Sequence, residues 1–164
     1  MNVSTRNFTG GYVIEDIDEV LHQTGTPPAA VKLEITESSL IEKPDEMAAI
    51  MHLLAQRGLQ FGLDDFGTGY SSLSYLHRFP FQTLKVDRDF VASLGTPGER
   101  PALVNAIVAM ARSMGLETVA EGVDTTEQLE FVREAGCHFA QGYGIAMPMS
   151  ADDAEALLEA DKRY

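Results

Sequence analysis

The sequence predicts an α/β fold, an incomplete TIM-like (β/α)8 barrel with about six βα units, and three observations carry that expectation. Short strand-like runs alternate with amphipathic helical runs along the whole chain, the pattern of parallel βα units. The strand-like runs are apolar on one face and polar on the other, whereas a doubly wound sheet covered by helices on both sides would be apolar on both. The length, 164 residues, suits one domain but falls short of the roughly 250 residues that eight such units occupy.

Taken in order, Asn2 to Ser4 is a candidate short strand. Val13 to Gly25 has Ile17, Val20 and Leu21 at helical spacing and a closing glycine. In Val31 to Thr36, residues Val31, Leu33 and Ile35 share one strand face while Lys32, Glu34 and Thr36 share the other. Pro44 to Gly58 opens on proline, ends on glycine, and spaces Met47, Ile50, Met51 and Leu54 along one helical stripe. Gln60 to Asp65 is the next strand, followed by Thr83 to Asp87, where Leu84 and Val86 oppose Thr83, Lys85 and Asp87. A helix from about Glu99 to Gly115 carries Leu103, Ile107, Met110 and Met114, and the strand Glu117 to Glu121 follows it. Thr126 to Gly136 is helical around Leu129 and Val132, and His138 to Tyr143 is the last strand candidate. Ser150 can cap a final helix through Asp153, with Leu157 and Leu158 on its apolar side.

Composition excludes several classes of function. The net charge of -13, with 12 Lys and Arg scattered along the chain, argues against binding a nucleic acid polymer, which needs a basic stripe. A small phosphate ester remains compatible if metal cations lie between it and the acids. No apolar run approaches the roughly 20 residues of a membrane-spanning helix, so no membrane segment is expected. The start M-N-V-S-T-R has none of the features of a secretory signal, which makes a cytoplasmic setting the expectation. The lone Cys137, beside His138, reads as a small buried thiol.

The placement of the acids is the informative feature. Glu34, the pair Asp64 and Asp65, Asp87 and Glu121 fall within or at the C-terminal ends of separate strands, and Asn2 and Gln141 fall on two more. In a barrel those ends meet at one mouth, where such folds place their active sites. Singly, each acid reads as a solvated strand end or a helix cap. Together they would repel unless cations neutralised them, and their hard oxygen atoms suit Mg²⁺ or Mn²⁺. Adjacent Asp64 and Asp65 suggest two ions, which at about 3.5 to 4 Å apart can clamp both oxygens of a phosphoryl displacement. F-G-T-G-Y-S-S-L, with Gly67 and Gly69, reads as a mobile loop over the mouth. Lys85 points in among the acids, either to balance their charge or to orient a water and a phosphate as a point charge.

The motifs L-E-I-T-E at Leu33 to Glu37, D-D-F-G-T-G-Y-S-S-L at Asp64 to Leu73, L-K-V-D at Leu84 to Asp87, V-A-E-G-V at Val119 to Val123 and Q-G-Y at Gln141 to Tyr143 resemble, in order, those of E-A-L domains, a family of cyclic-di-GMP phosphodiesterases. N-V-S at Asn2 to Ser4 resembles a further one. The resemblance implies a barrel of the EAL type with residues 1–164 as the C-terminal two-thirds of a single EAL domain. It implies hydrolysis of cyclic-di-GMP to linear pGpG by a metal-activated water, with two Mg²⁺ or Mn²⁺ ions. Asn2, Glu34, Asp64 and Asp65 then match metal ligands, Lys85 the water-positioning lysine, and Glu121 a glutamate regarded as general base or metal ligand. Glu37 matches the anchor of the glycine-containing loop, Asp87 an acid near the second metal, and Gln141 a glutamine lining the site. The N-terminal part of the family pattern, which carries its E-A-L motif ahead of N-V-S, is absent, which implies one metal ligand too few and impaired activity. Asp124 stands where glutamate is usual, and Met147 precedes Pro148 where a basic residue is common. Open sheet edges lead us to expect a homodimer. The competing expectation is an inactive module that binds cyclic-di-GMP or serves dimerisation.

Overall fold

The structure, a computed structural model, describes residues 1–3, 8, 12–40, 43–67, 76–94 and 101–160. Five strands, β1 (Lys32–Thr36), β2 (Gln60–Phe66), β3 (Thr83–Val86), β4 (Glu117–Glu121) and β5 (Phe139–Gln141), form one sheet in the order β1-β2-β3-β4-β5. Every neighbouring pair is parallel. A doubly wound sheet reverses its strand order partway; unbroken sequential order is what the wall of a (β/α) barrel requires.

Helices fill the connections: α1 (Val13–Thr24), α2 (Pro44–Gln56), α3 (Arg88–Ala92), α4 (Pro101–Ser113), α5 (Thr126–Ala135) and α6 (Ala151–Glu159). Their ends follow the expected local chemistry. Gly25 closes α1 with a φ of 65° and Gly136 closes α5 with a φ of 84°, the left-handed geometry that a Cβ penalises. Ser150 caps α6, its hydroxyl oxygen accepting the Asp153 N–H at 3.2 Å.

β1 starts one residue late, at Lys32, and β2 runs one residue further, to Phe66; three other elements differ from their expected extents for identifiable reasons. The N-terminal strand contributes a single parallel bridge between Asn2 and Glu34, with the Val3 N–H on the Glu34 carbonyl at 3.0 Å and the Glu34 N–H on the Met1 carbonyl at 2.8 Å. Ser4 lies outside the described residues. β3 stops at Val86 because Asp87 leaves the strand to cap α3, a helix too short to show a periodic stripe in the sequence. β5 keeps only Phe139–Gln141, since Gly142 onward turns to pack on the segment after β4. The expected start of α4 at Glu99 lies outside the described residues.

One side of the sheet is dry. Leu33, Ile35, Phe61, Leu63, Leu84, Val86 and Ala120 are completely buried, as are Met47, Met51 and Leu54 of α2 and Val104 of α4. Each such large side chain removed from water contributes about 1.5–3 kcal/mol, so this layer is what holds strands and helices together. The other side is the polar interior of the barrel wall. There Lys32 of β1 reaches across β2 to donate to the Thr83 hydroxyl at 2.7 Å, and Glu34 reaches in the same direction toward Lys85. Both pass over Gly62, where an added Cβ would already lie 3.6 Å from Glu34 Cγ and 3.8 Å from Lys32 Cδ, so a bulky residue there would block the crossing.

Candidate active site

Lys85 is the centre of the polar face. Its ammonium lies 2.6 Å from Glu121 Oε1, 3.1 Å from Asp64 Oδ1 and 3.4 Å from Glu34 Oε2, so β1, β2 and β4 each send a carboxylate to one lysine on β3. The strand register explains the convergence. Glu34 is aligned with Gly62, Gly62 with Thr83 and Thr83 with Glu117, and the side chains two residues further along β2 and β3 rise on the same face at the C-terminal ends. The Lys85 side chain is only 9% exposed. Burial by itself would lower its pKa, but the hydrogen bonds it donates to Glu121 and Asp64, with their charges, outweigh burial and hold the ammonium well above the ordinary lysine range.

Asp64 and Asp65 are consecutive, and in a regular strand they would point to opposite faces. A bulge removes that conflict. Leu63 pairs with Leu84 and Phe66 with Val86, so β2 holds one residue more than β3 over this stretch. Asp65 takes the extra position with φ 53°, the one non-glycine among the described residues in the left-handed region, and its N–H donates to Asp64 Oδ1 at 3.1 Å. Aspartate tolerates that conformation better than most residues, yet it still carries strain of roughly 1–3 kcal/mol. The result is chemical. Asp64, Asp65 and Glu121 each present a carboxylate oxygen, all within 4.8 Å of one another.

The outer residues of the cluster are fixed from α3 and from the turn after β1. Asp87 caps α3, accepting the Asp89 N–H at 2.7 Å, and its carboxyl also hydrogen-bonds that of Asp65. Glu37 is 3% exposed and its Oε2 accepts the Gly67 N–H at 3.0 Å, while Oε1 has no hydrogen-bond partner among the described residues. Gly67, with φ 97°, must be glycine here also because a Cβ would sit 2.8 Å from the Phe90 ring. Gly69 and the rest of the expected loop lie outside the described residues.

The expected site residues therefore divide into groups. Glu34, Asp64, Lys85 and Glu121 are in contact, Asp65 and Asp87 form a second pair beside them, and Glu37 holds Gly67. Asn2 is exposed and joins the cluster through its backbone bridge to Glu34. Gln141 is exposed at the end of β5, in register with Glu121. Sequence reasoning missed the bulge, the capping of α3, and the tie from α5 to α3 made by Gln128; only the T-x-x-Q spacing of Thr125 and Gln128 hinted at the last, as a capping box.

The donor set fits a hard divalent cation. Two ligands on opposite sides of Mg²⁺ lie about 4.2 Å apart, twice a bond of ~2.1 Å, close to the spread of the three carboxylate oxygens. Burial first, and then the neighbouring Asp64 and Asp87 carboxylates, raise the pKa of Asp65 despite Lys85; burial likewise raises Glu121 against the pull of Lys85. A cation binds the ionised forms, so its binding should release protons and tighten as pH rises above the ordinary carboxyl values of 3.8 and 4.5. Calorimetry in mildly acidic buffers of different ionisation heat measures the release; buffer-independent heats would contradict it.

The family model described as "EAL domain" matches residues 1–148. Among curated proteins, the cyclic di-GMP phosphodiesterase NbdA of Pseudomonas aeruginosa is 36% identical over 160 residues, 98% of this chain and 20% of NbdA. The chain thus spans about a fifth of that relative's length. Among solved structures, the EAL domain of Mycobacterium smegmatis DcpA superposes with a TM-score of 0.91 at 36% identity, covering 99% of this chain and 73% of that one. The manganese/cy-diGMP complex of Klebsiella pneumoniae BlrP1 superposes with a TM-score of 0.80 at 30% identity, covering 87% of this chain and 37% of that one.

Proposed function

The chain belongs to the EAL domain family, and from that premise we propose that it is the C-terminal two-thirds of a single cyclic-di-GMP phosphodiesterase domain that opens the cyclic dinucleotide to linear pGpG. The observation that carries this reading is the convergence of Glu34, Asp64 and Glu121 on Lys85, with the strained Asp65 turned toward the same mouth. Such a charge arrangement is costly to hold in a fold unless it serves ions and a phosphate.

In the proposed reaction a water oxygen bonds to phosphorus, the ester bond to one ribose 3′ oxygen breaks, and that oxygen leaves with a proton. Two Mg²⁺ or Mn²⁺ ions, held by Asn2, Glu34, Asp64, Asp65 and Glu121, would lower the pKa of the water and offset the phosphate charge. Lys85, tethered by Glu34, Asp64 and Glu121, orients the water and the phosphate oxygens. Glu121, whose carboxyl is pushed up by burial, is suited to take the water's proton. Glu37 keeps the Gly67 end of the loop seated, Asp87 flanks Asp65, and Gln141 lines the rim beside Glu121.

Among the described residues no helix is long and apolar enough to cross a membrane; we place the domain in the cytoplasm because the proposed substrate is a soluble dinucleotide. The outer edges of the five-stranded sheet favour pairing with a second copy, so we place the chain in a homodimer.

Chromatographic detection of pGpG, with Mg²⁺ and then Mn²⁺, tests the reading on two forms: the 164-residue chain and a form extended N-terminally to the span of a solved EAL domain. The five strands among the described residues fall short of a barrel built on about eight, so the extended form should turn over rapidly and the shorter one poorly. Both should sediment as dimers. Binding of cyclic-di-GMP without turnover by either form would identify a non-catalytic module instead, and robust turnover by the shorter chain would require the ligand set to be redrawn.

A further inference from the structure

Gln128 lies on the first turn of α5, touches none of the clustered carboxylates through its side-chain hydrogen bonds, and is only 8% exposed. Its Oε1 accepts two backbone N–H groups, those of Asp124 at 2.8 Å and Thr125 at 3.0 Å. The second of these, with the Gln128 N–H on Thr125 Oγ1 at 3.2 Å, is an ordinary capping box, a job glutamate performs as well. The third bond is what a cap does not need. Gln128 Nε2 donates to the carbonyl of Val91 in α3 at 3.3 Å, a buried contact between residues 37 apart in sequence.

Both ends of that bond lead to the site. α3 is capped by Asp87, which flanks Asp65, and it carries Phe90, against which Gly67 packs. Its first residue, Arg88, packs on Gly122, the residue after Glu121: a Cβ on Gly122 would come 2.7 Å from Arg88 Cβ. At the other end, Asp124, whose N–H is held by Gln128, accepts the Tyr143 N–H through Oδ1 at 2.9 Å, and Val123 bonds Gln141 and Gly144 through its N–H and carbonyl, each at 3.0 Å. One amide thus ties the segments that follow β3, β4 and β5 to one another.

Resting on the phosphodiesterase reading, we propose that Gln128 is a positioning residue that sets the spacing of Asp65, Asp87 and Glu121 by locking α3 to the turn after β4. Glutamate in its place would keep the capping box while turning a second acceptor oxygen toward the Val91 carbonyl in a dry pocket, so the cap survives and the lock opens. Thr125→Ala does the reverse, since Thr125 Oγ1 serves the cap and takes no part in the lock.

The test compares wild type, Q128E and T125A as the full 164-residue chain, reading amide hydrogen exchange and the affinity for Mn²⁺ alone. Neither readout needs turnover, so a failed phosphodiesterase assay would count against the proposed reaction and leave this inference standing. In Q128E the amides of Val123, Tyr143, Gly144 and Gly67 should exchange faster and Mn²⁺ should bind about 2- to 30-fold more weakly, the range of coupling carried by residues that touch no ligand. In T125A faster exchange should stay within the first turn of α5, with Mn²⁺ affinity unchanged. Gln128→Ala, which deletes the lock together with the bonds from the Asp124 and Thr125 N–H groups but buries no charge, should show the same loss of Mn²⁺ affinity if Q128E fails to fold. Unchanged Mn²⁺ affinity in the folded Gln128 variants, or an equal loss in T125A, would overturn the proposal.

Discussion

Replacing Asp64 by alanine in the barrel-closed form should cut turnover by at least about 100-fold, because groups that only support a metal ligand already cost 10–100-fold when removed. Asp64 occupies two positions in the site at once. Its Oδ1 lies 3.1 Å from the Lys85 ammonium and accepts the Asp65 N–H at 3.1 Å, which stabilises the bulge that turns Asp65 inward. Alanine therefore removes a carboxylate and loosens a second one. Asp64→Asn separates the effects, since the amide oxygen can still accept the Asp65 N–H while the charge is gone. Both variants should lose Mn²⁺ affinity and turnover together, alanine more severely. An asparagine variant that keeps more than half of wild-type turnover would show that Asp64 holds the backbone and is not a cation ligand.

Lys85→Met has the next largest expected effect, and it should separate folding, cation binding and turnover. Without bound cations the lysine is what balances Glu34, Asp64 and Glu121, all of whose side chains are less than a quarter exposed or close to it, at 24%, 13% and 18%. Deleting one partner of such a buried network costs about 3 kcal/mol, so the variant should melt well below wild type in a chelator. Added Mn²⁺ should recover more stability in the variant than in wild type, because the cations take over the lysine's role and no longer compete with it for the same oxygens. Turnover should still fall far more than cyclic-di-GMP affinity does, since methionine can neither orient the water nor meet charge that develops on the phosphate. The combination is specific. If turnover and substrate affinity fall in equal proportion, Lys85 serves binding alone; if Mn²⁺ affinity collapses as it does in Asp64→Ala, its role is structural.

Cys137, read from the sequence as a small buried thiol, is less deeply buried than that reading expects. It is half-buried against the core, and burial, opposed by a hydrogen bond with Thr118, pushes the thiol up from its usual range, so little thiolate is present to react. His138 is equally occupied, its Nδ1 lying 3.1 Å from both the N–H and the hydroxyl of Thr118.

What the sequence determined by itself were the features with a local cause. Alternation along V-K-L-E-I-T and T-L-K-V-D places Glu34 and Lys85 on the polar face whatever surrounds them, because a strand's side-chain period is two. The glycines after the helices, the proline at the start of α2 and Ser150 before α6 act within a turn of chain, so α1, α2, α5 and α6 begin or end where those residues stand. Only the tertiary structure decided what depends on distant partners. Alternation alone sends Asp65 to the side opposite Asp64; the bulge that reverses it is defined against β3, and Asp87 must leave β3 and cap α3 before it can meet Asp65. The three carboxylates on Lys85 come from three strands spread between residues 34 and 121, and their order in the sheet, which brings them together, is a property of the closing wall. Gln128 carries no sign of this role in the sequence, where its spacing from Thr125 marks at most a local cap; its bond to Val91 joins residues 37 apart, and no periodicity along the chain reports a contact of that kind.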